Sequence, residues 1–247
     1  MTLTYAIGDV HGRRDLLAAL LAAIRNDAGA RAARIIFLGD IIDRGPDSRG
    51  ALDVVIGALG EFPGSRLILG NHEEFLLRFV ESDEERMAVT SRWLANGGLA
   101  TLSAYGMDES NSLDSLAERF ARDFPAHVAA LRAADWMIET EAQVFVHAGI
   151  DPALPLARQD PRTTRWIREK FLGFPGALPK TVVHGHTITE SFLPEIHNNR
   201  IALDTGAVIS GHLTCGIFDG DAPPRFLATD DHGAKIEVSE IRPLDCR

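Results

Sequence analysis

The chain has 247 residues, 45% hydrophobic and 24% charged, an ordinary balance for a globular protein with a sizeable buried core. Its formal net charge of −10 argues against non-specific binding to nucleic-acid backbones, although metals and a few arginines can reverse the sign at one site. Two cysteines, Cys215 and Cys246, are too few for a disulfide framework, residues 1–8 lack a signal-peptide pattern, and no apolar run reaches the roughly 18–20 residues needed to span a bilayer. The expectation is a soluble, cytoplasmic protein with no membrane or nucleic-acid partner, its oligomeric state left open.

Residues 3–7 read as a short apolar strand ending in Gly8-Asp9-Val10-His11-Gly12. In an extended backbone Asp9 and His11 point to one side, and a carboxylate with an imidazole suits Mn, Fe or Zn. Leucines and isoleucine at 16, 17, 20, 21 and 24 form the core stripe of a helix over 15–24. The β-branched run 34–38 predicts a buried strand, which ends in Gly39-Asp40-Ile41-Ile42-Asp43-Arg44-Gly45. Asp40 is read there as a metal ligand and Asp43 as a carboxylate that tunes an acid. Arg44 is a planar fork for an anion. A helix over 49–59 leads to a strand over 65–69 that ends in Gly70-Asn71-His72-Glu73. Three strand–glycine–ligand units with intervening helices predict parallel strands, right-handed crossovers and one shared ligand edge.

Residues 74 to about 135 read as a helical insertion walling the cleft, with helices over 74–81, 84–94, 113–120 and 127–134. Asn96-Gly97-Gly98 breaks the second helix, and 107–112 is a polar loop. Trp93 is read as packing, and His127 as a surface or capping residue. Strands resume at 136–141 and 143–146, the latter followed by His147-Ala148-Gly149. Asp160-Pro161 can start a helix, and a strand at 181–183 closes with His184-Gly185-His186-Thr187. Short strands at 191–196, 200–204, 213–219, 225–229 and 235–241 are expected to build an antiparallel second sheet. With no linker or repeat, one α/β domain over 1–247 is the economical reading.

The strand-end donors are Asp9, His11, Asp40, Asn71, His147 and one of His184 or His186. Carboxylate, amide and imidazole without thiolate fit two divalent ions better than a structural zinc. Two ions about 3.5–4 Å apart can share a hydroxide and clamp an oxyanion, with Asp40 as the candidate bridge. The guanidinium of Arg44 points to phosphorus as the centre attacked.

These motifs, with Trp93 to Gly98 (W-x-x-N-G-G), Trp166-Ile167-Arg168-Glu169, Gly185-His186-Thr187 and Asp204 to Val208, resemble those of the phosphoprotein-phosphatase metallophosphoesterases. The likeness runs in order from about residue 5 to 218 and leans toward bacteriophage lambda phosphatase and its bacterial serine/threonine relatives. It implies a calcineurin-like β-sandwich of two mixed sheets flanked by helices. It also implies a first metal on Asp9 and His11, a bridging Asp40, and a second metal on Asn71, His147 and His186. His72 would be the general acid, assisted by Asp43, while Arg44, Arg168 and Asn71 would hold the phosphoryl group. The cofactor would be two divalent ions, Mn²⁺ first, Fe or Zn as alternatives. The partner would be a phosphorylated protein or a small phosphate ester.

The motif match selects His186 over His184 and Arg168 over Arg165, leaving Arg165 to line the cleft mouth. Asp204 is expected to support the site by hydrogen bonding. Glu73 and Glu74 are expected to complement a helix N-terminus. His197, His212 and His232 are expected to be solvated. The alternative activity is a bis(5'-nucleosyl)-tetraphosphatase; that group resembles the first motif but typically lacks the second aspartate of the central one and carries Asp at the position of Glu73. A catalytically silent phosphopeptide-binding module ranks below both, because no ligand position is lost.

Overall fold

The computed structural model describes residues 2–108, 111–233 and 235–247. Strands β1 (Leu3–Ile7), β2 (Ala33–Phe37) and β3 (Arg66–Leu67) pair in parallel in the order of the chain. Helices α1 (Arg14–Ala28) and α2 (Ser48–Glu61) supply the two crossovers. The period of two is visible in how each strand is divided between cores. Tyr5, Ile7, Ile35 and Phe37 face the leucine stripe of α1, while Ala6, Ile36 and Leu38 face the second sheet.

Between β3 and the next strand the described chain is helical: α3 (Asn71–Glu81), α4 (Arg86–Trp93), α5 (Leu99–Ala104), α6 (Leu113–Asp123) and α7 (Pro125–Arg132). Residues Leu94–Gly98 form a single π-helical turn between α4 and α5, broken at Gly97, whose φ is 104°. This is where the Asn-Gly-Gly run was expected to interrupt the helix. Of the expected loop over 107–112, residues 109 and 110 lie outside the described residues. His127 is not a surface residue: it is buried between the Tyr105 hydroxyl, 2.7 Å from Nδ1, and Asp53, 2.8 Å from Nε2.

The second sheet contains β4 (Ile138–Glu139), β5 (Gln143–Phe145), β6 (Thr181–His184), β7 (Glu195–Ile196) and β8 (Arg200–Ala202). Helices α8 (Pro161–Trp166) and α9 (Glu169–Leu172) lie between β5 and β6. Strands β5, β6 and β8 are mutually parallel, and β4 and β7 run against them. Phe145, Val183, Ile201 and Leu203 meet Ala6, Ile36, Leu38 and Ile68 in the core between the sheets. Val144, Val146 and Val182 alternate to the opposite face, against Phe171 of α9.

The expected antiparallel second sheet at the C-terminal end does not form. After α10 (Ala207–Ser210), β9 (Thr214–Phe218), β10 (Arg225–Asp231) and β11 (Ile236–Ile241) do run antiparallel, but they extend the first sheet, with β9 against β1. Only β12 (Leu244–Asp245) joins the second sheet, parallel to β7. Alternation announces a strand without naming its neighbour. In the structure β9 is buried on both faces, which suits a strand in the middle of a sheet. The strand expected over 191–196 is reduced to its last two residues. Phe192 sits at φ 53° and donates its N–H to Thr189 O, and Pro194 has no N–H to give a ladder.

Candidate active site

The C-terminal ends of β1, β2, β3, β5 and β6 converge, and every strand-end residue singled out above lies there. Gly39 makes the convergence possible. Its φ is 97°, and a Cβ at that position would stand 2.6 Å from the Gly70 backbone nitrogen, so the ends of β2 and β3 can touch only through glycine. Beyond these ends His11, Asp40, Asp43, Arg44 and His186 all hold positive φ, five of the six described non-glycine residues that do. Strained backbone concentrated at one spot marks a site whose surroundings dictate its geometry.

Asp40 is at the centre. Its Oδ2 lies 3.4 Å from His147 Nε2, 3.7 Å from His11 Nε2 and 3.8 Å from His72 Nε2. Ligand atoms of His11, Asp40 and His72 form one tight cluster, and those of Asp40, His147 and His186 form a second that shares Asp40. Nδ1 of His11 donates to Ile42 O and Nδ1 of His147 to Leu38 O, each at 2.8 Å, which turns both Nε2 atoms inward. His147 Nε2 then meets Asn71 Oδ1 at 2.9 Å and His186 Nδ1 at 3.2 Å. Both carboxylate oxygens of Asp9 accept from the His186 backbone nitrogen at 3.1 Å.

The charges here are unbalanced. Burial, then Asp204 and Asp40, push the Asp9 carboxyl well above its ordinary range. Burial would raise Asp40 too, but His147, His72 and His11 hold it well below. Burial lowers His11 to about 3 and His186 to about 2, so both rings offer lone pairs at neutral pH. His147 is raised despite its burial, chiefly by Asp40: the pocket draws in a proton as a positive charge. Buried acceptors that outnumber donors fit divalent cations.

A second network surrounds Asp43, which is fully buried. Its Oδ2 lies 2.6 Å from His72 Nδ1, Trp93 Nε1 donates to both oxygens at 2.9 and 3.0 Å, and the Thr101 hydroxyl donates to Oδ1 at 2.5 Å. Asp40 and the Asp43 contact raise His72 against the effect of burial. The guanidinium of Arg44 spans His11 Nε2 at 2.8 Å and His72 Nε2 at 3.1 Å, and its backbone nitrogen donates to Gly97 O. Trp93 therefore does more than pack: as the last residue of α4 it holds Asp43, and the π-turn that follows holds Arg44 through Gly97 O. A cleft of about 590 Å³ opens beside Arg44, lined also by Arg13, Pro46, Ala100, Ser103 and Val208.

Glu73 complements the N-terminal end of α3, as expected, accepting from Gly70 N, and it does more. It is buried, and its carboxylate accepts from the backbone nitrogens of Asp40, Ile41, Ile42 and Gly70 at 2.8–3.2 Å, which shapes the loop carrying Asp40. The only sequence signal was its place in Gly-Asn-His-Glu. Glu74 instead binds Arg165 and the Trp166 indole, each at 3.0 Å.

Arg168 is exposed, its Nη1 3.5 Å from the Thr187 hydroxyl. Asp204 is buried and accepts from Gly206 N, touching no ligand candidate through that bond. His184 points away from the Asp40 clusters, its Nδ1 3.0 Å from Gly185 O. His232 is exposed and His212 half-buried, each near Asp230; His197 is half-buried against Glu195.

The family model for calcineurin-like phosphoesterases matches residues 3–213. The chain belongs to that family. It is 26% identical over 220 residues to serine/threonine-protein phosphatase 1 of Salmonella typhimurium, covering 85% of this chain and 89% of that protein. It is 47% identical over 74 residues to the symmetrical bis(5'-nucleosyl)-tetraphosphatase of Janthinobacterium sp., covering 30% and 25%. Among solved structures, a protein assigned as a diadenosine tetraphosphatase superposes with a TM-score of 0.61 at 22% identity, over 96% of this chain and 93% of that one. A cold-active protein-tyrosine phosphatase of a Shewanella species gives 0.58 at 17%, over 97% and 80%. These identities speak to fold alone: the calcineurin-like fold, with two mixed sheets flanked by helices. A phosphoesterase of this family is a metal-dependent hydrolase of phosphate esters. No described helix is long and apolar enough to cross a membrane.

Proposed function

We propose that this phosphoesterase hydrolyses phosphate monoesters, as a serine/threonine protein phosphatase or a broad-specificity phosphatase. The observation that carries the reading is the contact of 2.6 Å between His72 Nδ1 and Asp43 Oδ2, with His72 Nε2 facing Arg44 and Asp40. A buried carboxylate on one ring nitrogen keeps a proton available on the other, which is what a departing alkoxide needs.

The donor set fits two divalent cations, Asp9 and His11 on the first, Asn71, His147 and His186 on the second, and Asp40 shared. Mn²⁺ suits the oxygen-rich mixture, with Fe or Zn as alternatives. Once bound, the cations supply a nucleophile acidified from water and neutralise charge on the phosphoryl group. The chain's own residues do the rest. Arg44 turns its fork from the two imidazoles to the phosphoryl oxygens, and Arg168 adds a second guanidinium from the start of α9. His72 passes the proton at Nε2 to the leaving oxygen while Asp43 holds the ring through Nδ1. Such a transfer is worth about 10²–10⁴ in rate.

The presence of both Asp43 and Glu73, and a likeness to the Salmonella phosphatase along 85% of the chain, support a monoesterase. The 74-residue stretch at 47% identity favours the dinucleoside tetraphosphatase as second reading. A side-by-side assay with Mn²⁺ on an aryl phosphate, a phosphoserine peptide and diadenosine tetraphosphate separates them. Turnover of the first two with little on the third is expected. Preference for the dinucleotide would move the enzyme to nucleotide hydrolysis, and no turnover of any would leave a phosphopeptide-binding module.

A further inference from the structure

Among the described residues, one cluster of side chains able to hold a metal ion lies outside the clusters at the strand ends. Glu195 opens β7 and His197 follows its last residue, Ile196, so the two side chains, two apart, lie on one side of the chain. Strand β12 runs parallel to β7 in the register Leu244–Glu195 and Asp245–Ile196, and Cys246 N then donates to Ile196 O at 2.8 Å. That register carries Cys246 alongside His197, on the face shared with Glu195. One ligand atom from each of Glu195, His197 and Cys246 lies within 4.8 Å of the other two, and His197 Nε2 is 3.0 Å from Glu195 Oε2. A groove of about 270 Å³ opens beside them, lined by His197, Asn199, Arg200 and Cys246.

We infer that Glu195, His197 and Cys246 form a separate cation site, selective for a thiophilic divalent ion of the Zn²⁺ class. Tetrahedral zinc with bonds near 2.3 Å to sulfur and near 2.0–2.2 Å to nitrogen and oxygen sets its ligand atoms about 3.3–3.6 Å apart. The ligand atoms already lie within 4.8 Å of one another, with Glu195 and His197 half-buried and Cys246 exposed, so side-chain rotation can close the remaining gap. Three protein donors leave a fourth position facing the groove.

The site differs in kind from the Asp40 clusters. Those contain no thiolate and suit harder ions, whereas a thiolate selects Zn²⁺ over Mn²⁺. One chain would thus sort two classes of metal by ligand softness. Binding replaces the thiol proton, which passes to solvent, and forms a metal–sulfur bond with no change of oxidation state. Because the thiolate, not the thiol, is the ligand, metal affinity rises with pH. The structural effect is a clamp of the two-residue strand β12 onto β7, at the edge of the second sheet. This inference is independent of which phosphate ester the enzyme hydrolyses.

Co²⁺ added to the full chain provides the test, because a thiolate on cobalt absorbs by charge transfer in the near ultraviolet and oxygen or imidazole ligands do not. The other cysteine, Cys215, is buried in β9. The expected result is a band that saturates at one thiolate-bound cobalt per chain and is abolished by added Zn²⁺. It should be lost in Cys246→Ser and weakened at least tenfold in apparent affinity in His197→Gln and Glu195→Gln. All three variants should keep wild-type phosphate-ester turnover and far-ultraviolet circular dichroism. No band in the wild-type chain would overturn the inference, as would a band that survives Cys246→Ser. A band indifferent to both His197→Gln and Glu195→Gln would mean a lone thiol binding cobalt adventitiously, and would overturn it too.

Discussion

Thr101→Val tests whether the donors around Asp43 are as consequential as their geometry implies. Asp43 has no solvent-exposed surface, so its carboxylate depends on protein donors: His72 Nδ1 at 2.6 Å, Trp93 Nε1 at 2.9 Å and the Thr101 hydroxyl at 2.5 Å. Valine keeps the shape of threonine and removes only the hydroxyl. The hydroxyl also accepts from Asp43 N at 3.0 Å and lies 2.9 Å from Ser48 Oγ, but Asp43 N keeps Ser48 Oγ as a second acceptor, so the bond to the buried carboxylate dominates. Losing a hydrogen bond to a buried charged group costs about 1.5–3 kcal/mol, and burial of the new methyl offsets less than ~1 kcal/mol of that. A net loss of about 1–2 kcal/mol is expected, read by urea denaturation as a lower midpoint at unchanged slope. Because the same carboxylate orients His72, turnover of alkyl phosphates should fall about 5–30-fold, the factor corresponding to that energy, and aryl phosphates less. Trp93→Phe removes the neighbouring donor. The double variant should deviate from additivity by more than about 0.5 kcal/mol, because both residues serve one carboxylate. A stability change within about 0.5 kcal/mol for Thr101→Val, the usual scatter of a surface substitution, would refute the reasoning.

Replacing His72 by Asn should leave metal loading intact and slow hydrolysis most for substrates with poor leaving groups. Equal losses on aryl and alkyl phosphates would remove His72 from the role of acid. His184, outside the proposed ligand set, gives a prediction about pH. Burial holds its folded value at about 3 against an ordinary 6.5, so the unfolded chain binds a proton that the folded one does not. Its stabilisation is present in full above pH 6.5 and is lost as pH falls toward 3. Between about pH 6 and 4, urea unfolding of the wild type should therefore lose up to about 1.4 kcal/mol more per pH unit than His184→Gln. Parallel pH profiles for the two would show that His184 is solvated in the folded protein.

Much of the architecture was legible because it repeats. Three glycine-terminated strands with ligands behind them, separated by helices of leucine period, predict a parallel sheet with one loaded edge, and β1, β2 and β3 form that edge. The strand-end reading names Asp9, His11, Asp40, Asn71, His147 and His186; ligand atoms of His11, His147 and His186 cluster with Asp40, Asn71 reaches His147, and Asp9 is held by the His186 backbone. Local residue type carries that information, since a carboxylate after a sharp strand exit has few structural uses. His127 was misplaced for the opposite reason. A histidine in a short helix looks the same whether it meets water or the Tyr105 hydroxyl and Asp53.

The sequence by itself determined the inventory: which strands carry ligands, where glycine permits two backbones to touch, and where the helical segment breaks at Gly97. Only the tertiary structure decided which residues share a partner. Glu73 collects four backbone N–H groups from two different loops, and Asp43 is held by Trp93 and Thr101 from across the π-turn. Likewise β9 could join either sheet until burial on both faces placed it beside β1. The physical reason is common to all three cases. Periodicity and motif are set by neighbours in the chain, whereas hydrogen bonds to buried carboxylates and the choice of strand partner are contacts between distant segments. They exist only after the chain has folded.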